Sequence, residues 1–441
     1  MVIRQFLRWA LRGALLFFAA FAVTWPFFGP DRNMRGIWMT QGYGYILDIG
    51  RFQIDLYQHS DAHCLIEGKV PAHSVMMSVL AGYQFEASQT ELVARVEGAV
   101  NPIRADRIDA LPPLCAEGTT PIPGSSFANY HAFWTIFDQH YPFFALHNVD
   151  WNDRQAQLAP SDQEPLTNDA LWDRMVQSIK GLDDGHTYIY RPDAGIGYSP
   201  ANDVPWEEDL PAFRDLQIAR GLTDIPNTGL SFTILDGNIG YVLLRHMETK
   251  SNILNTSTGV ANSGFGQIAD ALQDTKAIIL DNRFNPGGSD DISMAYAAFF
   301  ADDTERLAFS KRTRMSVGFS ETTEIILRRN ADTEIHLDQP VYLLNSEFTA
   351  SAAEIFTMAI QDLPNVTILG EPTAGHLSDI LEMRLPNGWI VGLSHQIYLD
   401  GHNVGYEGLG VPPDQAIAMP TDALRNGMDP MIDDLLAELR P

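Results

Sequence analysis

Positive charge is scarce in this chain. Its 441 residues carry 29 Lys and Arg against 56 Asp and Glu, a formal net charge of −27. So acidic a surface argues against nucleic acid as a partner and against docking onto anionic lipid. Cysteine is scarcer still, with only Cys64 and Cys115. Their spacing suggests no metal site. In an exported chain they could pair, and two unpaired buried thiols is the other reading. The run of ligands that a zinc site needs is missing, and His59 and His63 near Cys64 are a weak substitute. There is no internal repeat. The chain also lacks Gly-Lys-Ser/Thr and Gly-x-Gly-x-x-Gly, which removes the common phosphate loops. Acids do not alternate as a calcium loop requires.

Only one long apolar run is present. It spans Gly13 to Phe28, interrupted by Thr24 and Pro26, and follows Arg4, Arg8 and Arg12 with no acid among them. Residues 1–28 therefore read as an export signal or a retained N-terminal anchor. Ala20-Phe21-Ala22 offers a small-x-small cleavage site, and the favoured reading is export to a periplasmic or extracellular location. Any membrane contact would run through that segment.

A chain of this length suggests two or three domains. Residues 34–118 form short alternating runs, including Gly36–Met39, Tyr43–Ile49, Phe52–Tyr57 and Glu91–Val100, which predict a small β domain or partial barrel. Pro121, Pro123 and Gly124 mark a linker. Residues 125–190 have helical spacing, as in Tyr130, Phe133, Trp134 and Phe137, and in Leu171, Met175, Ile179 and Leu182 with Asn168 or Asp169 as cap. These stripes predict core packing. Beyond a proline-rich stretch from Pro192, residues 228–425 alternate strands with helices, which predicts an α/β core whose strands are buried on both faces.

The residues with chemical potential lie in that core and at its border. Pro340–Asn345 reads as a buried strand, followed by Thr349-Ala350-Ser351-Ala352-Ala353-Glu354 and a helix to about Asp362. A serine at such a turn sits near unpaired N–H groups and the positive end of the helix dipole, which suits a nucleophile whose attack creates an oxyanion. Helix capping is the simpler role for Ser351. Asp281-Asn282-Arg283-Phe284-Asn285-Pro286-Gly287-Gly288 is the oxyanion candidate, because paired glycines let backbone N–H groups approach a ligand. The base is open between His186, at a helix end in Asp183-Asp184-Gly185-His186-Thr187, and His376 in Gly375-His376. His402 reads as an exposed loop residue, and Glu407 is a carboxylate able to orient an imidazole.

Taken in order, these segments resemble the tail-specific protease superfamily of serine peptidases, which includes tricorn protease and a retinoid-binding protein. The matching pieces are Asp183–Thr187, Asp281-x-Arg283-x-Asn285-x-Gly287-Gly288, Thr349–Glu354, Gly370-Glu371-x-Thr373-x-Gly375 and Glu407-x-x-Gly410-Val411-x-Pro413-Asp414. The resemblance implies a crotonase/Clp-protease-like β-α catalytic core with a helical subdomain and the small N-terminal β domain. Relatives with a Ser–Lys dyad carry lysine where this chain has His376. The tricorn-type triad implies Ser351, His186 and Glu407 as catalytic residues, with the N–H groups of Ala352 and Gly287 or Gly288 as oxyanion donors. Tricorn has a serine before its histidine, and this chain departs from that pattern with Gly185, so an assisting hydroxyl is absent or replaced. The PDZ module of many relatives is missing, since Pro192 to Asn227 is too short for one. The implied activity is an exported serine peptidase acting on peptides or proteins, with no metal or organic cofactor. A binding protein on this fold and an esterase with the same triad are the alternatives.

Overall fold

The computed structural model describes residues 30–72, 83–96, 100–116, 125–161, 163–251, 256–330 and 335–439. The N-terminal segment 1–28 and most of the expected linker lie outside these residues.

Residues 36–108 form one seven-stranded sheet in which every neighbouring pair is antiparallel. Each of the strands whose burial is described mixes buried with partly or fully exposed positions. The strands at the two ends of its order are His63–Pro71 and Tyr83–Ala87. Cys64 and Cys115 are joined in a disulfide that ties the short helix Pro113–Ala116 to this sheet. Gln58 exchanges two hydrogen bonds with the Arg384 backbone (2.7 and 2.8 Å) and so docks the sheet on the rest of the molecule.

The helical segment begins with Ser126–His140. Its start is fixed by Ser125, whose hydroxyl accepts from Ala128 N–H. Helix Asn168–Ile179 is capped by Thr167 and not by the Asn168 or Asp169 expected, since the threonine hydroxyl reaches Ala170 N–H at 3.2 Å. The predicted aromatic stripe is core. Tyr130, Phe133, Phe137, Tyr141 and Trp151 pack together and against the strands Ile380–Arg384 and Ile390–Ser394. The two strands pair with each other, and Ile390–Ser394 pairs with Tyr188–Arg191, which places the segment just after His186 in a sheet with the C-terminal region.

The core sheet runs Thr223–Asp224, Thr228–Leu235, Ile239–Thr249, Ala277–Asp281, Val341–Asn345, Val366–Gly370 and Gln415–Ala416 in spatial order. From Ile239 onward all neighbours are parallel. All five residues of Ala277–Asp281 are buried, as expected for a parallel strand covered on both faces. Helices Ser257–Leu272, Asp290–Ala297 and Ala352–Ile360 cover one face with Phe265, Tyr296 and Phe356. Leu210–Ile218 and the C-terminal helix Pro430–Leu439 cover the other. The loops at the carboxyl ends of Ala277–Asp281 and Val341–Asn345 emerge side by side, where parallel sheets form clefts.

Candidate active site

Ser351 stands at the mouth of helix Ala352–Ile360 with φ 57° and ψ −127°. A non-glycine residue in that region costs roughly 1–3 kcal/mol and persists only where surrounding contacts enforce it. Several do. Ala350 N–H donates to Asn285 O at 3.1 Å, and Ala374 N–H donates to Thr349 O at 2.9 Å. Ser351 N–H donates to Glu354 Oε2 at 3.0 Å. The backbone strain thus sits on the residue singled out as a nucleophile.

The glycine loop fits against this turn. Gly287 has φ 101°, and a Cβ there would lie 2.6 Å from both Ala350 O and Ser351 Cβ. Only glycine lets the two loops meet. Gly287 N–H is already committed to Asn285 Oδ1 at 2.9 Å. Gly288 presses on the Met247 carbonyl, and its own N–H has no protein acceptor among the described residues. Ala352 N–H, in the first turn of its helix, is likewise without one. Of the three oxyanion candidates, Ala352 and Gly288 therefore offer free donors, while Gly287 supplies the close approach.

The loop is braced from beneath. Arg283 is fully buried and grips Asp281 (2.9 and 2.7 Å) and Asp429 (3.0 and 2.8 Å), each in bidentate fashion. Asp281 also accepts from Tyr241, and Asp429 from Gln217 and Arg220. The sequence marks Arg283 as a motif position. Its partner Asp429 carries no local signal and lies outside every motif, so sequence reasoning missed it.

His186 is buried, and its N–H donates to Asp184 Oδ1 at 2.8 Å. Its Nδ1 meets the Ser378 carbonyl, which can only accept, so in the neutral ring the proton is on Nδ1 and the lone pair on Nε2. Glu407 does not touch the imidazole. Its Oε2 instead accepts from Leu377 N–H (3.1 Å) and Ser378 N–H (2.9 Å), and so holds the backbone leading into the residue whose carbonyl meets His186. Desolvation, with Asp184 and Glu354 nearby, pushes the Glu407 carboxyl well above its ordinary range.

His376 lies beside His186, with ring centroids 6.3 Å apart. The His376 ring occupies the space that any side chain at position 185 would need, which accounts for Gly185 there. Burial and the neighbouring His186 lower the His376 pKa. Its backbone N–H donates to Glu354 Oε2 at 2.8 Å, the same oxygen that takes Ser351 N–H. Glu354, fully buried, also accepts from Thr373 Oγ1 (2.6 Å) and Gly375 N–H (2.8 Å). Burial outweighs these bonds and raises its carboxyl to about 7. Sequence reasoning gave Glu354 no role, although its place three residues after a helix-capping serine is a recognisable sign. No hydrogen bond joins Ser351 to either imidazole among the described residues. His186 and Glu407 instead bond to the segment Gly375–Ser378, which carries His376 and is linked to Ser351 through Glu354.

His402 pairs with Asp362 at 3.1 Å in an exposed position. His63 is bound to Ser60 and Gln58, and Cys64 is in the disulfide, so the weak His59/His63/Cys64 metal candidate lacks a thiolate. Among the described residues no helix is long and apolar enough to cross a membrane.

Residues 238–417 match the family described as Peptidase family S41. A "Probable CtpA-like serine protease" of Staphylococcus haemolyticus (strain JCSC1435) is 31% identical over 147 residues, which is 33% of this chain and 28% of that protein. A protein of the same name from Staphylococcus aureus (strain N315) is 28% identical over 166 residues, or 36% and 32% of the two chains. The matched stretch is thus less than a third of the length of these curated relatives. In fold, the chain is similar to a solved structure from Parabacteroides merdae ATCC 43184, with TM-score 0.60, 24% identity, and coverage of 73% of this chain and 97% of the other. Mature CPAF, solved with lactacystin, gives TM-score 0.53 at 12% identity over 71% and 98% of the chains. Residues 238–417 are thus similar to peptidase family S41, and the likeness to the tail-specific protease superfamily rests on that stretch.

Proposed function

We propose that this chain is a serine peptidase that hydrolyses peptide bonds with Ser351 as nucleophile and His186 as base. The observation that carries the reading is the strained Ser351, pressed against Gly287 and flanked by the two unpartnered N–H groups of Ala352 and Gly288. His186 Nε2 takes the Ser351 hydroxyl proton as Oγ attacks the carbonyl carbon. The oxyanion gains the Ala352 and Gly288 N–H groups, and losing one such donor typically costs a factor of about 10²–10³ in turnover. The imidazolium then protonates the leaving amine. Water hydrolyses the acyl-enzyme with His186 again as base. Glu407 acts through the backbone it holds, since its bonds to Leu377 and Ser378 N–H position the residue whose carbonyl meets His186 Nδ1. Catalytic hydrogen bonds often close only when substrate binds, which accommodates the open Ser351–His186 gap.

The parallel strands with their crossover helices support a crotonase/Clp-type β-α core. Residues 1–28 support export or anchoring, and the substrates are peptides or proteins. The test is digestion of a peptide library by wild type and by Ser351→Ala, His186→Ala and His376→Ala. We expect cleavage to vanish in the Ser351 and His186 variants. If His376→Ala abolishes cleavage while His186→Ala does not, the base is His376, and its link to Ser351 through Glu354 becomes the operative one.

A further inference from the structure

Next to the glycine loop lies a cleft of about 530 Å³ lined by Arg214, Arg245, His246, Glu248 and Gly288. Two guanidinium groups in one cleft are notable on a chain with nearly twice as many acids as bases. They are not equivalent. Arg245 is held by Asp224 at 3.0 Å and by Ser231, so its charge is largely answered. Arg214 projects from helix Leu210–Ile218 and donates Nη2 only to the neutral Phe284 carbonyl, at 3.1 Å. Among the described residues no carboxylate lies within 4 Å of it, and its Nε is buried without a partner. His246 Nδ1 is also buried and unpartnered. Burial and the two arginines hold the His246 pKa down against the pull of Glu248.

We infer that this cleft is a substrate subsite that binds a carboxylate, with Arg214 as its anchor, within a residue or two of the bond that is cut. The position follows from Gly288, which belongs to both the cleft and the pair of free donors beside Ser351, while one extended residue spans only about 3.3–3.6 Å. The ligand class follows from the donors. A planar guanidinium fork with unused N–H groups matches a carboxylate, and Glu248 at the cleft wall disfavours a more highly charged anion. The carboxylate is either an Asp or Glu side chain of the substrate or the terminal carboxylate of a peptide.

This inference rests on the peptidase reading, and a binding measurement separates the two. Fluorescein-labelled octapeptides of neutral sequence are titrated against the Ser351→Ala protein. One set places Glu or Gln at each position, and the other ends in a free acid or an amide. An acidic group at one position should bind about ten- to hundredfold more tightly than its neutral counterpart, as a charge-assisted hydrogen bond is worth. Whether the Glu/Gln or the acid/amide pair shows the difference identifies the source. Arg214→Gln should erase the preference, and Arg214→Glu should transfer it to peptides with Lys at that position. Loss of fold alone cannot produce such a transfer. No acid preference in either set, absence of binding included, or a preference that survives Arg214→Gln, overturns the inference. If wild type cleaves nothing while the Ser351→Ala protein keeps the preference, the peptidase reading fails and the subsite stands.

Discussion

Replacing Arg283 by Met should unfold the platform beneath the glycine loop without touching Ser351. Arg283 makes two bidentate pairs at zero exposure, and methionine keeps much of the volume while removing every donor. Asp281 would retain the Tyr241 hydroxyl and the backbone N–H of residue 283, and Asp429 would retain Gln217 and Arg220. Removing one partner of a buried ion pair costs about 3–5 kcal/mol, because the remaining charge stays buried. That is a large share of the roughly 5–15 kcal/mol that holds a folded domain together. The acid range gives a second readout. Burial alone would raise the Asp429 pKa, but the charge and hydrogen bonds of Arg283, helped by Gln217 and Arg220, outweigh it and hold the carboxyl at about 2. A depressed carboxyl adds stability above its unfolded value of 3.8, and that stability is lost as pH falls toward 2. The term is roughly 2 kcal/mol. Urea unfolding from pH 7 down to pH 2 should show Arg283→Met less stable by about 3–5 kcal/mol at neutral pH. It should also show a flatter loss of stability in acid than wild type. A cost below about 1 kcal/mol at pH 7, or an unchanged acid slope, refutes the bracing role.

Gly287→Ala should leave a folded protein with kcat reduced at least about a hundredfold, since the new Cβ would displace Ser351, and stopped-flow peptide cleavage reads this directly. Glu354 is raised to about 7, so its contribution to stability is full below its ordinary 4.5 and drains away as pH climbs through 7. Denaturation between pH 5 and pH 8 should show that slope in wild type and lose it in Glu354→Gln. Reducing Cys64–Cys115, which closes a separation of 51 residues, should cost about 4 kcal/mol in the N-terminal sheet by the chain-entropy relation. Thermal melts with and without reductant measure it.

What was legible in the sequence follows from the range of each signal. The parallel strands were plain because five-residue apolar runs such as Ala277–Asp281 have no other use in a globular chain, and Ser351 was plain because its turn is local. Local capping chemistry nevertheless misled at Asn168, one residue past the true cap. The mixed strands Arg306–Thr313 and Gln396–Asp400 carry polar residues and pair with each other across a long separation, and Ile380–Arg384 carries Glu382 and Arg384, so periodicity gave no reason to name them. The site was legible as a list of residues but not as a set of contacts. Nothing local to Glu407 says that it grips a backbone segment and not an imidazole, and nothing local to Asp429 says that it completes the brace under Gly287. The choice between Gly287 and Gly288 as donor turned on the Asn285 side chain, whose orientation only the folded loop fixes.

The central claim is that Ser351 is an activated nucleophile. The direct measurement is intact-protein mass spectrometry after treatment with a fluorophosphonate, followed by peptide mapping. The account predicts one adduct per chain, located on Ser351, which disappears when His186 is replaced by Ala. A protein that stays unlabelled, or one labelled on a different serine while Ser351 remains free, would contradict it.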